Sequence, residues 1–251
     1  MSSITISSIT FAFAFGGALL GMRIRTILPQ HHMNADSKDA VKIAMALVST
    51  MSALVLGMLI ASAKNSYDTQ KNELTDMSSK VILLDRVLSH YGPESKEARD
   101  QLRNSVVNAI DQMWSNDPAD FSLPAQASAS SEALYDDIQS LSPKTDAQRS
   151  IQSQALNIVM NLGQTRWLMF EQRTRSGSVP MLMVLIFWLT ALFISFGLFS
   201  PLNATVVVTF LVSAISVSFA IFLILELYNP YVGVIRISDT ALRTALEHLG
   251  R

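Results

Sequence analysis

No cysteine occurs among the 251 residues. Disulfides, thiolate metal sites and cysteine nucleophiles are therefore excluded, and cysteine usage says nothing of redox compartment. An excess of positive charge is also missing: 19 Lys and Arg against 20 Asp and Glu give a formal net charge of −1. A nucleic-acid partner is held through a basic footprint that releases counterions, so none is expected. The signatures G-x-x-x-x-G-K-[ST], H-E-x-x-H and G-x-S-x-G and the dinucleotide glycine fingerprint are absent. The acids Asp117, Asp120, Asp136 and Asp137 lack the spacing of an EF-hand loop. His31 and His32 are adjacent but have no third ligand at helical spacing, which favours surface histidines over a metal site. Asp85-Arg86, beside an apolar helix face, reads as a structural ion pair and not an acid–base dyad. No catalytic residue, metal or cofactor is assigned, and the chain is not expected to be an enzyme.

Charge is missing most tellingly from four long apolar runs. Ile4–Met22, Ile43–Ala63, Pro180–Phe199 and Ala204–Leu225 contain no Asp, Glu, Lys, Arg or His. Each approaches the roughly 20 residues that cross ~30 Å of hydrocarbon as a helix. Mean hydropathy of +0.31, 49% hydrophobic and 16% charged residues fit a chain about one third membrane-embedded. The first run lacks a basic flank before it, and it is read as a retained span and not a cleaved signal. Without an intramembrane ionisable group, a proton-coupled transporter or pump is disfavoured.

Residues 64–178 are polar and too long for a loop. Leu74, Met77, Val81, Leu84 and Leu88 recur at helical spacing, so the second span is expected to continue as an amphipathic helix to Tyr91-Gly92-Pro93. A second helix is expected over Glu94–Trp114, with Ala98, Leu102, Val106, Ile110 and Met113 on one face. Asn116–Ser130 reads as a loop, Ser131–Leu141 as a short helix, and Thr145–Arg173 as a long one carrying Ile151, Ala155, Ile158, Leu162 and Trp167. The last of these is expected to extend the third span. The fold class is thus an all-α membrane protein with two N-terminal and two C-terminal transmembrane helices and a helical domain between spans 2 and 3. Its divisions are 1–63, 64–178 and 179–251, the last including a C-terminal tail.

Four spans place both termini and the insert on one side, with Lys64, Lys71, Lys80, Arg166, Arg173, Arg175, Arg236 and Arg243 near the membrane ends. The other side carries Arg23, Arg25, Lys38 and Lys42. The positive-inside rule favours a cytoplasmic insert, although Arg23 and Arg25 after the first span point the other way.

Within the second span Ser49, Ala53, Gly57 and Ala61 place a small residue every four positions, and Gly17 and Gly21 form a similar pair in the first. This spacing lets helix backbones approach closely. Two readings stay open: packing of span 1 on span 2, or a face of span 2 on an oligomer's symmetry axis. In the second case Ser49, Thr50 and Ser52 would offer hydroxyls beside an apolar constriction that gates by dewetting. Glu226, at the end of span 4, reads as an anchor or structural partner ahead of a vestibule acid. Tyr228 and Tyr231 read as interfacial aromatics.

Several stretches carry a family resemblance: Val55-Leu56-Gly57-Met58-Leu59-Ile60-Ala61-Ser62-Ala63-Lys64, Ser66-Tyr67-Asp68-Thr69-Gln70, Leu84-Asp85-Arg86, Tyr91-Gly92-Pro93, Glu226-Leu227, Asn229-Pro230-Tyr231 and Ile235-Arg236-Ile237-Ser238. Together they resemble a bacterial bestrophin-like family of membrane proteins of unknown function. The tail departs from it, with Tyr228 where an acid is expected. Bestrophins are homopentameric ion channels lined by their second span. The resemblance therefore implies a passive channel in the bacterial inner membrane, a homo-oligomer (a pentamer by resemblance only) in contact with membrane lipid, passing inorganic ions. No matching aromatic neck or acidic calcium clasp is present. The alternative is a non-conducting membrane scaffold or sensor acting through its helical bundle.

Overall fold

The computed structural model describes residues 2–29, 35–114, 124–174 and 179–250. Every regular element among them is helical: α1 (Ser3–Ile27), α2 (Ala35–Tyr91), a 3-10 turn (Pro93–Ser95), α3 (Lys96–Met113), α4 (Pro124–Gln139), α5 (Asp146–Thr174), α6 (Val179–Phe199), α7 (Ala204–Tyr228) and α8 (Thr240–His248). Four stretches are long and apolar enough to cross a membrane: Ser3–Ile27, Lys38–Tyr91, Pro180–Phe199 and Ala204–Tyr228. Each contains one of the four expected runs. The helical form is forced, because hydrocarbon offers backbone groups no other hydrogen-bond partner.

The chain divides into two compact units. The first comprises Met1–Ser66 and Ser176–Tyr228. Here α1 begins at Ser2, whose hydroxyl accepts from the Thr5 amide at 3.2 Å. It packs against α6 and α7. Ala14, Gly17, Ala18 and Gly21 form its buried face. A Cβ on Gly21 would lie 2.1 Å from the Ile194 carbonyl oxygen, and one on Gly197 2.1 Å from that of Ala18. Two backbones thus meet where neither has room for a methyl group. The close approach of span 1 is to span 3 and not, as the glycine spacing alone allowed, to span 2. Phe193 and Ala214 complete the cluster around Ala14 and Ala18. The α6–α7 turn is closed by Asn203, whose side-chain oxygen accepts from the Val206 amide at 2.9 Å.

The second unit comprises Tyr67–Arg175 and Asn229–Arg251. Leu74, Met77, Val81, Leu84 and Leu88 are all buried, as are Ala98, Leu102, Val106, Ile110 and Met113. Both expected stripes therefore face the core. Each fully buried Leu contributes about 1.5–3 kcal/mol over an exposed one. The helix expected beyond span 2 is continuous with it in α2, 57 residues long. It ends at Gly92, whose φ of 125° suits glycine. The Ser95 hydroxyl then donates to the Leu88 carbonyl, in the last turn of α2, and to the Gly92 carbonyl beyond it. At the start of α5 the Gln148 amide donates to the Thr145 hydroxyl at 3.1 Å, while Gln148 Oε1 accepts from the Lys144 amide.

Four expectations need correction. The short helix starts at Pro124 and not at Ser131: proline suits the first helical turn, and the Ala- and Ser-rich run after it continues the helix. Residues 116–123 of the expected loop, and the junction at 175–178 that would join α5 to span 3, lie outside the described residues. Trp167 is 56% exposed, off the buried face of Ala155 and Ile158. The 229–251 segment folds with the helical unit instead of trailing from the last span. Its Tyr231, Ile237, Leu242, Ala245 and Leu249 are buried in that core. Tyr231 meets Trp114 edge-on at 5.8 Å, and the Trp114 indole donates to the Ile237 carbonyl at 2.8 Å. Tyr231 is thus a core residue and not a membrane-interface aromatic.

Asp85 is 2% exposed and pairs with Arg99, not with Arg86. Successive residues on a helix do not face each other. The guanidinium donates through Nε at 2.7 Å and Nη2 at 2.9 Å, and the Gly250 amide donates to the same carboxylate at 3.3 Å. The Asp85 hydrogen bond holds the Arg99 pKa above its ordinary value, against the opposing effect of burial. One carboxylate thereby joins α2, α3 and the C-terminal segment. Removing its cation leaves a buried charge unpaired. Arg99→Met should cost about 3–5 kcal/mol, read from thermal unfolding followed by helix dichroism. The double variant Asp85→Leu/Arg99→Leu should lose clearly less.

Candidate functional site

The four small residues of the second span do not behave like those of the first. Ser49, Ala53, Gly57 and Ala61 are all exposed in the protomer, as is Thr50. A Cβ on Gly57 would meet nothing within 4 Å. Only 11% of the apolar window of α2 is buried, against 22–28% in the other three spans. Among the described residues, the face is neither packed on span 1 nor covered by any other element.

Ser52 is set apart from this group. It is 3% exposed and shares the buried face of α2 with Leu59 and Ala63. On a helix Ser52 turns about 60° from Ser49 to one side, the side of Leu59 and Ala63, whereas Ala53, Gly57 and Ala61 turn about 40°, 80° and 120° to the other. The structure thus brings together Ser49, Thr50, Ala53, Gly57 and Ala61, and removes Ser52 from the expected hydroxyl group. Thr50 donates its hydroxyl to the Ala46 carbonyl at 2.9 Å, which satisfies its proton and leaves its oxygen facing outward. Beside the small face runs a stripe of large exposed side chains: Ile43, Leu47, Leu54 and Met58. One helix therefore presents two exposed surfaces, one small and partly polar, the other bulky and apolar.

At the end of α7, Glu226 is 4% exposed. Its carboxylate is therefore buried in the protomer and not exposed. Tyr228 donates to the Ser62 hydroxyl at 3.1 Å and so ties α7 to α2. His31 and His32 lie outside the described residues. Among the described residues no three His, Asp or Glu side chains gather in a metal-binding group. The expectations from sequence missed Gly197, which meets Ala18, and Arg99, the partner of Asp85. A glycine within an apolar run was the one signal for the first, and nothing local signalled the second.

These features define a multi-pass membrane protein whose four spans are accompanied by a helical extramembrane unit. A family model described as the bestrophin-like domain matches residues 10–242. The chain belongs to the bestrophin-like family. Its fold is similar to that of a variant of a bacterial bestrophin homologue from Klebsiella pneumoniae, with a TM-score of 0.73 at 13% identity over 99% of this chain and 97% of the other. A second variant of that homologue gives 0.65 at 15% identity over 95% and 97%. A structure described only as a membrane protein gives 0.67 at 14% identity over 94% and 96%. No curated protein matches the sequence.

The two classes of small residue predict opposite responses to bulk. Gly21→Leu should prevent α1 and α6 from docking and abolish folded protein. Ser52→Trp should lower stability by at least the ~1–3 kcal/mol of ordinary overpacking. Gly57→Leu and Ser49→Trp should leave protomer helicity intact, as measured by dichroism and yield of monodisperse protein.

Proposed function

We propose that this protein is a passive ion channel formed by a symmetric homo-oligomer, with α2 lining the pore. One observation carries this reading: a face of small and hydroxyl residues on a membrane span is left uncovered by the described residues of its own chain. Lipid gives no reason for such a face, since hydrocarbon is as well met by Leu as by Gly. Close approach of another helix, or a narrow water-filled path, does. Around a symmetry axis, Ser49 and Thr50 would present hydroxyl oxygens, while Ala53, Gly57 and Ala61 would form a constriction whose wetting controls conduction. The adjacent Ile43, Leu47, Leu54 and Met58 stripe would meet neighbouring spans or lipid. Family membership supports the same reading, because bestrophins are channels lined by their second span; a count of five subunits follows that resemblance alone. Positive charge near the membrane ends supports a bacterial inner-membrane location with the helical unit and termini in the cytoplasm.

The test is ion flux from liposomes holding the purified protein, under separate chloride and potassium gradients. Flux is expected from the native chain and not from empty liposomes. Ser49→Trp, assembled to the same size, should block it. A folded oligomer that carries neither ion across several pH and calcium conditions would replace the channel with the scaffold or sensor reading.

A further inference from the structure

The helical unit contains a partly open cavity of about 540 Å³ between α3, α4 and α5, to whose wall α2 and α8 also contribute. Its size falls within the ~300–1,000 Å³ usual for small-molecule sites. Two features separate it from a packing defect. The first is its wall, which is apolar but adaptable: Met77, Met113, Met160 and Met169 all line it. Unbranched, polarisable methionine accommodates a flexible apolar chain better than branched residues do. The second is a half-buried guanidinium and a buried hydroxyl without a partner on the same wall.

Arg166 is half-buried, and its one hydrogen bond among the described residues goes to Gln112 Oε1 at 3.3 Å. No carboxylate among the described residues forms an ion pair with it. Burial lowers its pKa from the ordinary arginine value, the mark of a guanidinium whose lost hydration is not replaced. Arginine stays charged even so. Ser105 Oγ, on the same cavity wall, is buried and has no hydrogen-bond partner among the described residues. A cation, the amide it donates to and a partnerless hydroxyl thus line one largely apolar chamber. Glu132 and Asp136, both exposed, also line it. With a single cation inside and two carboxylates at the wall, a second negative charge on a ligand would be repelled.

We propose that this cavity binds a small amphiphile with one negative charge, of the medium-chain carboxylate class. Arg166 donates to its headgroup, the methionine-lined wall takes its hydrocarbon chain, and Ser105 is a further hydroxyl donor within the chamber. The carboxylate completes the hydrogen bonding that the protein leaves unfinished, through charge-assisted bonds stronger than neutral ones. A phosphate monoester is disfavoured by its second charge, and a two-chain lipid by the volume. This site stands whether or not the protein conducts ions.

The test uses the full chain in lipid nanodiscs with a diazirine-bearing dodecanoate. After illumination, labelled peptides are mapped by mass spectrometry, with unlabelled decanoate and decanol as competitors. Labelling is expected on α3 and α5 around Met160. Decanoate should displace the probe at least tenfold more effectively than decanol, a factor that corresponds to about 1.4 kcal/mol. Arg166→Met should weaken labelling to a similar degree and Arg166→Lys much less. Gly163→Phe supplies an independent arm. Gly163 lines the cavity and a Cβ there meets nothing within 4 Å, so the ring should fill the chamber without unfolding the unit and should abolish labelling. Label confined to the membrane spans, equal competition by decanol, or undiminished labelling of folded Gly163→Phe would each overturn the proposal.

Discussion

In hydrocarbon, apolar side chains gain nothing by leaving lipid for protein, so close backbone contact decides which helices of the membrane unit meet. The rest of that unit follows from where contact is possible. Gly21 and Gly197 bring α1 and α6 together at a distance that excludes even a methyl group. Gly57 has the same chemistry and no neighbour. Glycine and alanine serve intrachain packing in one span and leave an open face in the other. That difference separates a completed contact from one that awaits a partner or a water path, and the functional reading depends on it.

The helical unit obeys different physics, because water is present to drive burial. Its core is assembled from two amphipathic stripes on α2 and α3, with α4, α5 and the C-terminal segment added to them. Almost all of its contacts are interchangeable in kind, hydrophobic area against hydrophobic area. Asp85 is the exception: one buried carboxylate receives donors from Arg99 and from the Gly250 amide. A directional charge pair of this sort sets register more than it adds stability. It helps explain why the chain beyond α7 returns to this unit instead of ending free.

The parts of this architecture legible in the sequence are those governed by local pattern. Uncharged runs marked the four spans, helical spacing marked the stripes of Leu74–Leu88 and Ala98–Met113, and Tyr91-Gly92-Pro93 marked the end of α2. What could not be read there depends on pairing over long separations. The Gly17/Gly21 spacing says that some helix approaches closely, yet Ile194 and Gly197 lie more than 170 residues away and carry no mark of being that helix. Ser52 sits among hydroxyl residues in the sequence, and only the angular position of α2 in its unit turns it inward. Arg86 adjoins Asp85 in the chain, whereas Arg99 is its partner because α3 turns back across α2. Arg166 read as one more membrane-flanking cation until the wall around it was seen.

The central claim is that the Ser49–Ala61 face of α2 meets water within the assembled protein and not lipid. A chain without cysteine makes this directly measurable. Single cysteines at Ala53, Gly57, Leu54 and Met58 are treated, in reconstituted protein, with a charged, membrane-impermeant thiol reagent. The account predicts modification at Ala53 and Gly57, with little at Leu54 and Met58 on the bulky face. Equal protection of all four positions in a folded, assembled sample would contradict it.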